Sequence, residues 1–221
     1  MFKNVLIAED HESASISVRK TLEDLGIAQF SHAYYCDEAL KKIKNGIRDG
    51  EAFELLITDL YFEEDGSAQH LSGGKELIVA ARQVQPDLKV LVFSAEHKTA
   101  VIESLFELFA IDGYVRKARN DAGELKSAIE HIAKNKRHIP VNFRQAVRQK
   151  NTYEFTELDV TIISLLSKGM HQKDIPAYLQ QNNIRPSGLS SLEKRLSQMK
   201  EALEFSKNEQ LVAFCKDMGI I

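Results

Sequence analysis

The chain has 221 residues, of which 43% are hydrophobic and 28% charged, a composition typical of a soluble globular protein with one or two domains. No apolar run approaches the roughly 18 residues of a membrane-spanning helix, and no charged and then apolar leader precedes the first strand, so we expect neither membrane insertion nor secretion. The two cysteines, Cys36 and Cys215, lack the spacing of metal ligands, which indicates reduced thiols in a cytoplasmic protein.

The net charge of −3 is unevenly distributed along the chain. Residues 1–133 hold 15 Lys and Arg against 23 Asp and Glu, residues 134–150 hold six basic residues and no acidic one, and residues 151–221 hold 8 basic against 9 acidic residues. This excludes a uniformly basic nucleic-acid-binding protein. Together with the hydrophobic periodicity, the charge pattern predicts a first domain over 1–136, a basic linker over 137–153 and a second domain over 154–221.

The first domain alternates short apolar runs, rich in β-branched residues, with stretches of helical periodicity. This alternation is typical of a parallel sheet covered by helices on both faces. We therefore predict an α/β fold, a doubly wound five-stranded parallel sheet of the flavodoxin-like type. The predicted strands lie near residues 3–8, 29–34, 53–58, 88–93 and 112–115.

Charged or hydroxylic residues follow four of these strands at the point where each apolar run stops. They are Glu9 and Asp10, Asp59, Ser94 and Lys117. In an open α/β sheet the carboxyl ends of the strands meet at one edge, where ligands bind. Three acids, a hydroxyl and an ammonium at that edge predict a site for a divalent cation and a phosphoryl group. Each residue taken alone could instead be a helix cap or a neutralising charge.

In this order and spacing, with Tyr114 three residues before Lys117, these residues resemble the receiver domain of two-component response regulators. The resemblance implies that Asp59 accepts a phosphoryl group from a sensor histidine kinase and that Mg²⁺ is held by Glu9, Asp10, Asp59 and the Tyr61 carbonyl. Lys117 and Ser94 would contact the phosphoryl oxygens, and Tyr114 would act as a switch on a bistable packing element. Glu96, like Tyr61, lies where receivers tune the lifetime of the phosphoryl group.

After the linker every apolar run has helical spacing, so we predict a small all-α domain of four helices. Thr156 and Asp159 predict an N-terminal capping box for the first, and Gly169 predicts its end. The others are expected over about 171–181, 187–203 and 207–218. The phrases FTELDVTIISLLSKGM, KDIPAYL, LEKRLSQMKEAL and NEQLVAFCKDMGII resemble the LuxR/NarL-type helix-turn-helix domain.

The third of these helices corresponds to the recognition helix of that family. Apolar residues at helical spacing are expected in the core, namely Leu189, Leu192, Leu196, Met199 and Leu203. By position Glu193, Lys194 and Ser197 match the base-contacting sites, and Ser190, Ser191 and Arg195 match phosphate contacts. Ser187 and Gln198 complete the predicted DNA-binding face, and a merely solvated helix face is the alternative.

Three features depart from the family patterns. The segment between Asp59 and Gly74, LYFEEDGSAQHLSG (residues 60–73, here called the insert), is longer than the usual receiver loop. It is either a surface excursion or a determinant of partner choice and phosphoryl lifetime. The turn QQNNIRPSG is also longer than in the family, and the second domain carries little positive charge, which weakens general attraction to DNA.

The residues favour a regulator rather than an enzyme: a DNA-binding protein controlled by phosphorylation. Phosphorylation is expected either to promote a homodimer of the receiver or to free the recognition helix. The main alternative is a phosphorylation-gated module whose helical domain binds a protein instead of DNA. A haloacid-dehalogenase-like phosphatase is disfavoured, because that family needs Asp-x-Asp after its first strand and this chain has Glu9-Asp10-His11.

Overall fold

The computed structural model describes residues 1–119, 121–141, 143, 145 and 152–221. The chain divides into two compact units, Met1–His97 with Val101–Pro140, and Lys98–Ala100 with Val141–Ile221. Part of the predicted linker, including Arg144 and Arg148, lies outside the described residues. Among the described helices none combines the length and apolarity needed to cross a bilayer.

The first unit contains a five-stranded parallel sheet in the order β2-β1-β3-β4-β5. The fold class predicted from the sequence is confirmed, and each strand lies within two residues of its predicted position. The chain order reverses between β1 and β3, which defines the switch point of the sheet. The strands are β1 (Asn4–Ala8), β2 (Gln29–Ala33), β3 (Leu55–Thr58), β4 (Lys89–Ser94) and β5 (Gly113–Arg116).

Helices connect the strands and cover both faces of the sheet. A core on one face joins β-strand residues such as Ile7 and Phe93 to Leu22 and Ile129 from the first and fifth helices. The core on the other face joins Leu6 and Leu56 to residues of the second and third helices. The helices are α1 (Glu12–Asp24), α2 (Cys36–Asp49), α3 (Gly74–Val84), α4 (Thr99–Glu107) and α5 (Asp121–Ala133).

The insert leaves and rejoins the fold through a narrow neck directly behind β3. Tyr61 and Gly73 form an antiparallel bridge, and Gly74 N–H donates to the Leu60 carbonyl over 3.0 Å. A Cβ atom on Gly74 would lie 1.9 Å from the Asp59 carbonyl oxygen, and one on Gly73 would lie 2.8 Å from that of Leu60. The paired glycines therefore let the two backbone segments approach closely.

The second unit contains four α-helices among its described residues, α6 (Glu157–Ser167), α7 (Ile175–Gln181), α8 (Leu189–Ala202) and α9 (Asn208–Asp217), with a 3₁₀ turn over Gln172–Asp174. The predicted capping box on α6 is present, with Asp159 N–H donating to Thr156 Oγ1 and Thr156 N–H donating to the Asp159 carboxylate. Past its end Gly169 has φ +86°, as a helix-ending glycine should. The helices pack around a common apolar core.

One residue predicted for this core lies outside it. Leu192, Leu196, Met199 and Leu203 are buried as expected, but Leu189 is 44% exposed. The prediction was wrong because Leu189 is the first residue of α8, and the core of the second unit covers the apolar stripe only from Leu192 onward. Ser187 likewise precedes the helix instead of starting it.

A buried ion pair joins α6 to α8. Asp159 is fully buried, and Arg195 donates to its carboxylate from Nε over 2.6 Å and from Nη2 over 2.8 Å. Thr156 donates to the same carboxylate from Oγ1 over 2.8 Å, and Tyr153 Oη lies 3.3 Å away. Burial acts to raise the pKa of Asp159, but the bonds from Arg195 and Thr156 outweigh it and hold that pKa below its usual value.

We predict that Gly74→Ala destabilises the first unit by roughly 1–3 kcal/mol, because its Cβ meets backbone atoms that cannot move aside without displacing Asp59. Gly123→Ala in α5 is the matched control. No atom lies within 4 Å of a Cβ at position 123, and alanine favours a helix over glycine by about 1 kcal/mol. Urea unfolding should show opposite signs for the two variants. Equal effects would show that the close approach at Gly74 relaxes freely.

We predict that Arg195→Met lowers the free energy of unfolding of the second unit by roughly 3 kcal/mol, since it leaves the buried Asp159 carboxylate without its cation. Lys194→Met, the exposed neighbour on α8, should change stability by less than about 0.5 kcal/mol. The lowered pKa of Asp159 adds a pH dependence. The pair contributes fully above the ordinary carboxyl pKa of 3.8 and loses its contribution as the pH falls through the lower pKa of the folded state. Equal denaturation midpoints for the two variants would contradict this assignment.

Candidate functional site

The parallel ladder carries the predicted site residues to one edge of the sheet. Glu9 N–H donates to the Ala33 carbonyl over 3.0 Å, and Asp59 N–H to the Ala8 carbonyl over 3.1 Å. Lys117 N–H donates to the Ser94 carbonyl over 2.8 Å. Each site residue is thus the first residue beyond its strand, or the last within it, and is fixed by a neighbouring strand.

Lys117 lies between two buried carboxylates. Its Nζ is 2.6 Å from Asp59 Oδ2 and 2.7 Å from Glu9 Oε2. Asp59 Oδ1 accepts the Leu60 N–H over 2.5 Å. Glu9 and Asp59 are 2% and 5% exposed, so these charges interact with little screening by water. The predicted convergence of Glu9, Asp59 and Lys117 is present in the structure.

Burial and neighbouring charges act in opposite directions on this cluster. For Glu9 burial dominates and raises its pKa, although the Lys117 ammonium opposes the shift. For Lys117 burial disfavours the charged form, but the hydrogen bonds and charges of Asp59 and Glu9 outweigh it and raise the pKa. The ammonium is therefore held protonated, and it compensates only part of the acidic charge around it.

The remaining acidic residue brings a histidine into the cluster. Oxygen atoms of Glu9, Asp10 and Asp59 and a ring nitrogen of His11 all lie within 4.8 Å of one another. His11 Nδ1 is 2.8 Å from Asp10 Oδ1, and this contact raises the pKa of His11. Three carboxylates face one ammonium, an excess of hard oxygen ligands that could hold a metal ion. Sequence reasoning did not include His11 in the site, although its position directly after Asp10 was a signal.

Ser94 and Tyr114 lie beside the cluster. Ser94 is fully buried, and within the described part of the chain its Oγ has no hydrogen-bond partner. The Tyr114 ring is buried as well, and its hydroxyl donates to the Glu96 carbonyl over 2.6 Å. Burial raises the pKa of Tyr114, so its hydroxyl is protonated. A buried serine hydroxyl without a partner carries a desolvation cost that a phosphoryl oxygen would remove.

Tyr61 joins the neck of the insert to the loop after β4. Its hydroxyl donates to Glu96 Oε2 over 2.6 Å, and this bond raises the Tyr61 pKa to about 12. Its N–H lies 3.5 Å from Asp59 Oδ1. The role predicted for the Tyr61 carbonyl, as a metal ligand, stays a prediction.

The insert is tied to the fold at several points. Glu63 N–H donates to Asp10 Oδ2 over 2.6 Å, which connects the insert to the acidic cluster. Tyr35 Oη donates to Asp65 Oδ2 over 2.5 Å, and the His70 N–H donates to Asp37 Oδ2 over 2.7 Å. These bonds fix the insert against the start of α2. The insert is thus bonded to this end of the sheet, and one of its bonds reaches a carboxylate of the site.

In the second unit, α8 presents a polar face. Most of the predicted DNA-binding residues are exposed, and Ser187 and Ser191 are half-buried. Arg195 differs from them, because its Nε and Nη2 donate inward to the Asp159 carboxylate. The sequence analysis did not predict that Arg195 pairs with Asp159. The available signal was an acidic residue near the start of one helix and a basic residue on another. The exposed members are Ser190, Glu193, Lys194, Ser197 and Gln198.

No protein-family model matches the chain, and no curated protein matches it. Solved structures of response regulators do. RcsB from Salmonella enterica serovar Typhimurium, bound to a promoter in the presence of the phosphomimetic BeF₃⁻, aligns over 97% of this chain and 98% of its own, with 18% identity and a TM-score of 0.56.

Two further structures match about two thirds of the chain. A LuxR-family response regulator from Aurantimonas sp. SI85-9A1 covers 69% of this chain and 99% of its own, with 21% identity and a TM-score of 0.57. The isolated REC domain of RcsB from Salmonella enterica serovar Typhimurium, with BeF₃⁻, covers 65% and 96%, with 24% identity and a TM-score of 0.51. Along nearly its whole length, the chain therefore shares the fold of these response-regulator structures.

Proposed function

We propose that the protein is a two-component response regulator in which phosphorylation of Asp59 controls binding of the helical unit to DNA. The observation that carries the proposal is the buried contact of Asp59 with Lys117, next to a Ser94 hydroxyl that lacks a partner. A carboxylate, an ammonium and a hydroxyl in this arrangement are the groups that forming and holding an acyl phosphate require. RcsB, which shares this fold, was solved bound to a promoter in the presence of a phosphomimetic, and this supports the same function here.

In the proposed reaction an oxygen of Asp59 attacks the phosphorus atom of a phosphohistidine on a sensor kinase. The new bond joins Asp59 to phosphorus as the bond from phosphorus to the histidine nitrogen breaks, and the histidine leaves with the electron pair. Lys117 would then turn its ammonium from the free carboxylate to the phosphoryl oxygens. Ser94 Oγ would donate to another of these oxygens and so gain the partner it lacks.

Glu9, Asp10 and Asp59 would hold Mg²⁺, together with the Tyr61 carbonyl. Their oxygen atoms suit a hard divalent cation, and their excess negative charge over Lys117 favours binding it. When bound, Mg²⁺ neutralises the repulsion between the carboxylate and the phosphoryl group. Glu63 N–H, which donates to Asp10 Oδ2, would hold that carboxylate in position.

We propose that the signal leaves the site through the loop after β4. Ser94 ends that strand, and Tyr114 donates to the Glu96 carbonyl two residues beyond it. A shift of Ser94 toward the phosphoryl group would move this carbonyl and alter the packing of Tyr114 beside α4. Such a change on the surface of the receiver could favour a homodimer.

The exposed face of α8 would enter the major groove, with Glu193, Lys194 and Ser197 toward the bases. Ser190 and Ser191 would contact phosphates, and Ser187 and Gln198 would lie at the margins. Glu193 limits the general attraction to DNA, so affinity would depend on specific contacts rather than on charge. This near balance of charge is also what would suit a protein partner instead of DNA.

We predict that acetyl phosphate with Mg²⁺ labels the wild-type protein and that Asp59→Asn abolishes labelling, because an amide cannot form the acyl phosphate. Asp65→Asn in the insert is the control and should be labelled like wild type, since Asp65 bonds to Tyr35 and not to the site. Removal of Mg²⁺ by EDTA should stop labelling in both competent proteins. Full labelling of Asp59→Asn would mean that another residue is the nucleophile.

We predict that Lys194→Ala weakens binding to a selected DNA site by about 1–3 kcal/mol and relaxes the preference at one base pair. The site would come from selection on genomic fragments with and without beryllofluoride, at two salt concentrations. Lys168→Ala removes the same charge at the C-terminal end of α6, outside the recognition helix α8, and should leave the base preference unchanged. Absence of DNA enrichment in both states would instead favour the protein-binding alternative.

A further inference from the structure

The chain forms a closed backbone turn after α5 that brings His138 back beside His131. Lys136 N–H donates to the His131 carbonyl over 2.9 Å, and Asn135 N–H donates to the Ile132 carbonyl over 2.9 Å. These two backbone hydrogen bonds are the pattern of a Schellman motif. Asn135, at φ +55°, occupies the left-handed position that this motif requires. The turn therefore has a defined geometry.

The returning segment is then bonded to the edge of the sheet. His138 N–H donates to the Asp112 carbonyl over 2.9 Å, and Tyr114 N–H donates to the His138 carbonyl over 3.1 Å. A Cβ atom on Gly113 would lie 3.2 Å from the Cβ of His138, so the glycine leaves room for the histidine. Two backbone bonds, one on either side of Gly113 along the outer edge of β5, thus hold His138 in place.

The two imidazole rings approach each other through their Nδ1 atoms. His131 Nδ1 and His138 Nδ1 are 3.1 Å apart, and the ring centroids are 5.4 Å apart. One nitrogen must carry the proton and the other a lone pair. His138 Nε2 lies 3.5 Å from Glu124 Oε1, which favours a proton on Nε2 and leaves Nδ1 of His138 as the lone pair.

We propose that His131 and His138 form a chelating site for Zn²⁺, with Glu124 as a positioning residue. Two nitrogens bound to a tetrahedral Zn²⁺ at about 2.0–2.1 Å are separated by roughly 3.3–3.4 Å, close to the separation found here. Binding needs only that the proton on His131 Nδ1 move to Nε2 of the same ring, which leaves both Nδ1 atoms as ligands. Water would complete the coordination.

Glu124 would act as carboxylates commonly do behind a metal-bound histidine. Its Oε1 lies 3.5 Å from Nε2 of His138, and attraction between the carboxylate and a proton on Nε2 would orient the ring and make Nδ1 a better ligand. The side chain of His138 is 11% exposed, whereas Glu124 is 40% exposed, so solvent reaches the site from the helix side. Bound Zn²⁺ would hold the start of the basic linker against α5, and a chelator would remove this connection.

The test is a titration of the ¹⁵N-labelled full-length protein with ZnCl₂ in the presence of Mg²⁺, followed through the ring nitrogens of its seven histidines. We expect the Nδ1 signals of His131 and His138 to shift together with one midpoint. His131→Gln should move the His138 midpoint at least tenfold higher, and Glu124→Gln should raise it about tenfold. His131 is exposed on α5, so its replacement should leave the fold intact, which circular dichroism would verify.

His70→Gln is the matched control, since that side chain is 96% exposed on the insert and should not alter either signal. The proposal is overturned if His138 responds to Zn²⁺ with the same midpoint in His131→Gln as in wild type. It is equally overturned if Zn²⁺ shifts only His11, beside the acidic cluster. Both readouts are independent of phosphorylation and of DNA.

Discussion

The central constraint on the first unit is the burial of two carboxylates with one ammonium at the carboxyl edge of the sheet. Glu9 and Asp59 sit at the ends of neighbouring strands, and their repulsion is offset only because Lys117 reaches both from the end of β5. Breaking such a buried pair leaves an uncompensated charge that costs several kcal/mol. The placement of β1, β3 and β5 is thus connected to a single electrostatic balance.

The same balance leaves the acidic cluster short of positive charge. One ammonium cannot neutralise three carboxylates, so the cluster favours an additional cation. A phosphoryl group would bring further negative charge to the position that Lys117 now shares between two partners. The Ser94 hydroxyl, which lacks a hydrogen-bond partner, lies at the same edge and could donate to a phosphoryl oxygen. Without a ligand, the carboxylates therefore lack a second cation and the Ser94 hydroxyl lacks a hydrogen-bond partner. A cation and a phosphoryl group would supply both.

The fold and the receiver-like cluster could be predicted from the sequence because both follow from local patterns. Alternating apolar runs determine the strands, and parallel strands bring their ends together whatever the intervening helices contain. Contacts between distant segments could not be predicted. The pairing of Arg195 with Asp159 depends on how two helices cross, whereas the sequence analysis matched Arg195 to a phosphate contact by its position alone. Leu189 was misplaced because periodicity does not show where a neighbouring helix stops covering the first turn.

The insert resists sequence reasoning for the same reason. Its composition is that of a surface loop, yet Asp37, Asp65 and Glu63 tie it to the fold through bonds between residues far apart in the chain. The composition of a segment indicates how exposed it is to solvent. It does not show which backbone N–H groups form hydrogen bonds with distant carboxylates.

The narrow neck of the insert separates its length from the geometry of the site. Because Tyr61 and Gly73 pair directly, the ends of the loop stay adjacent however many residues lie between them. The entropy of closing a loop grows only with the logarithm of its length, so added residues cost little. Evolution could therefore lengthen or rebuild the stretch after Glu63 as an independent cassette, acquiring new surface while the neighbouring strand ends remain unchanged.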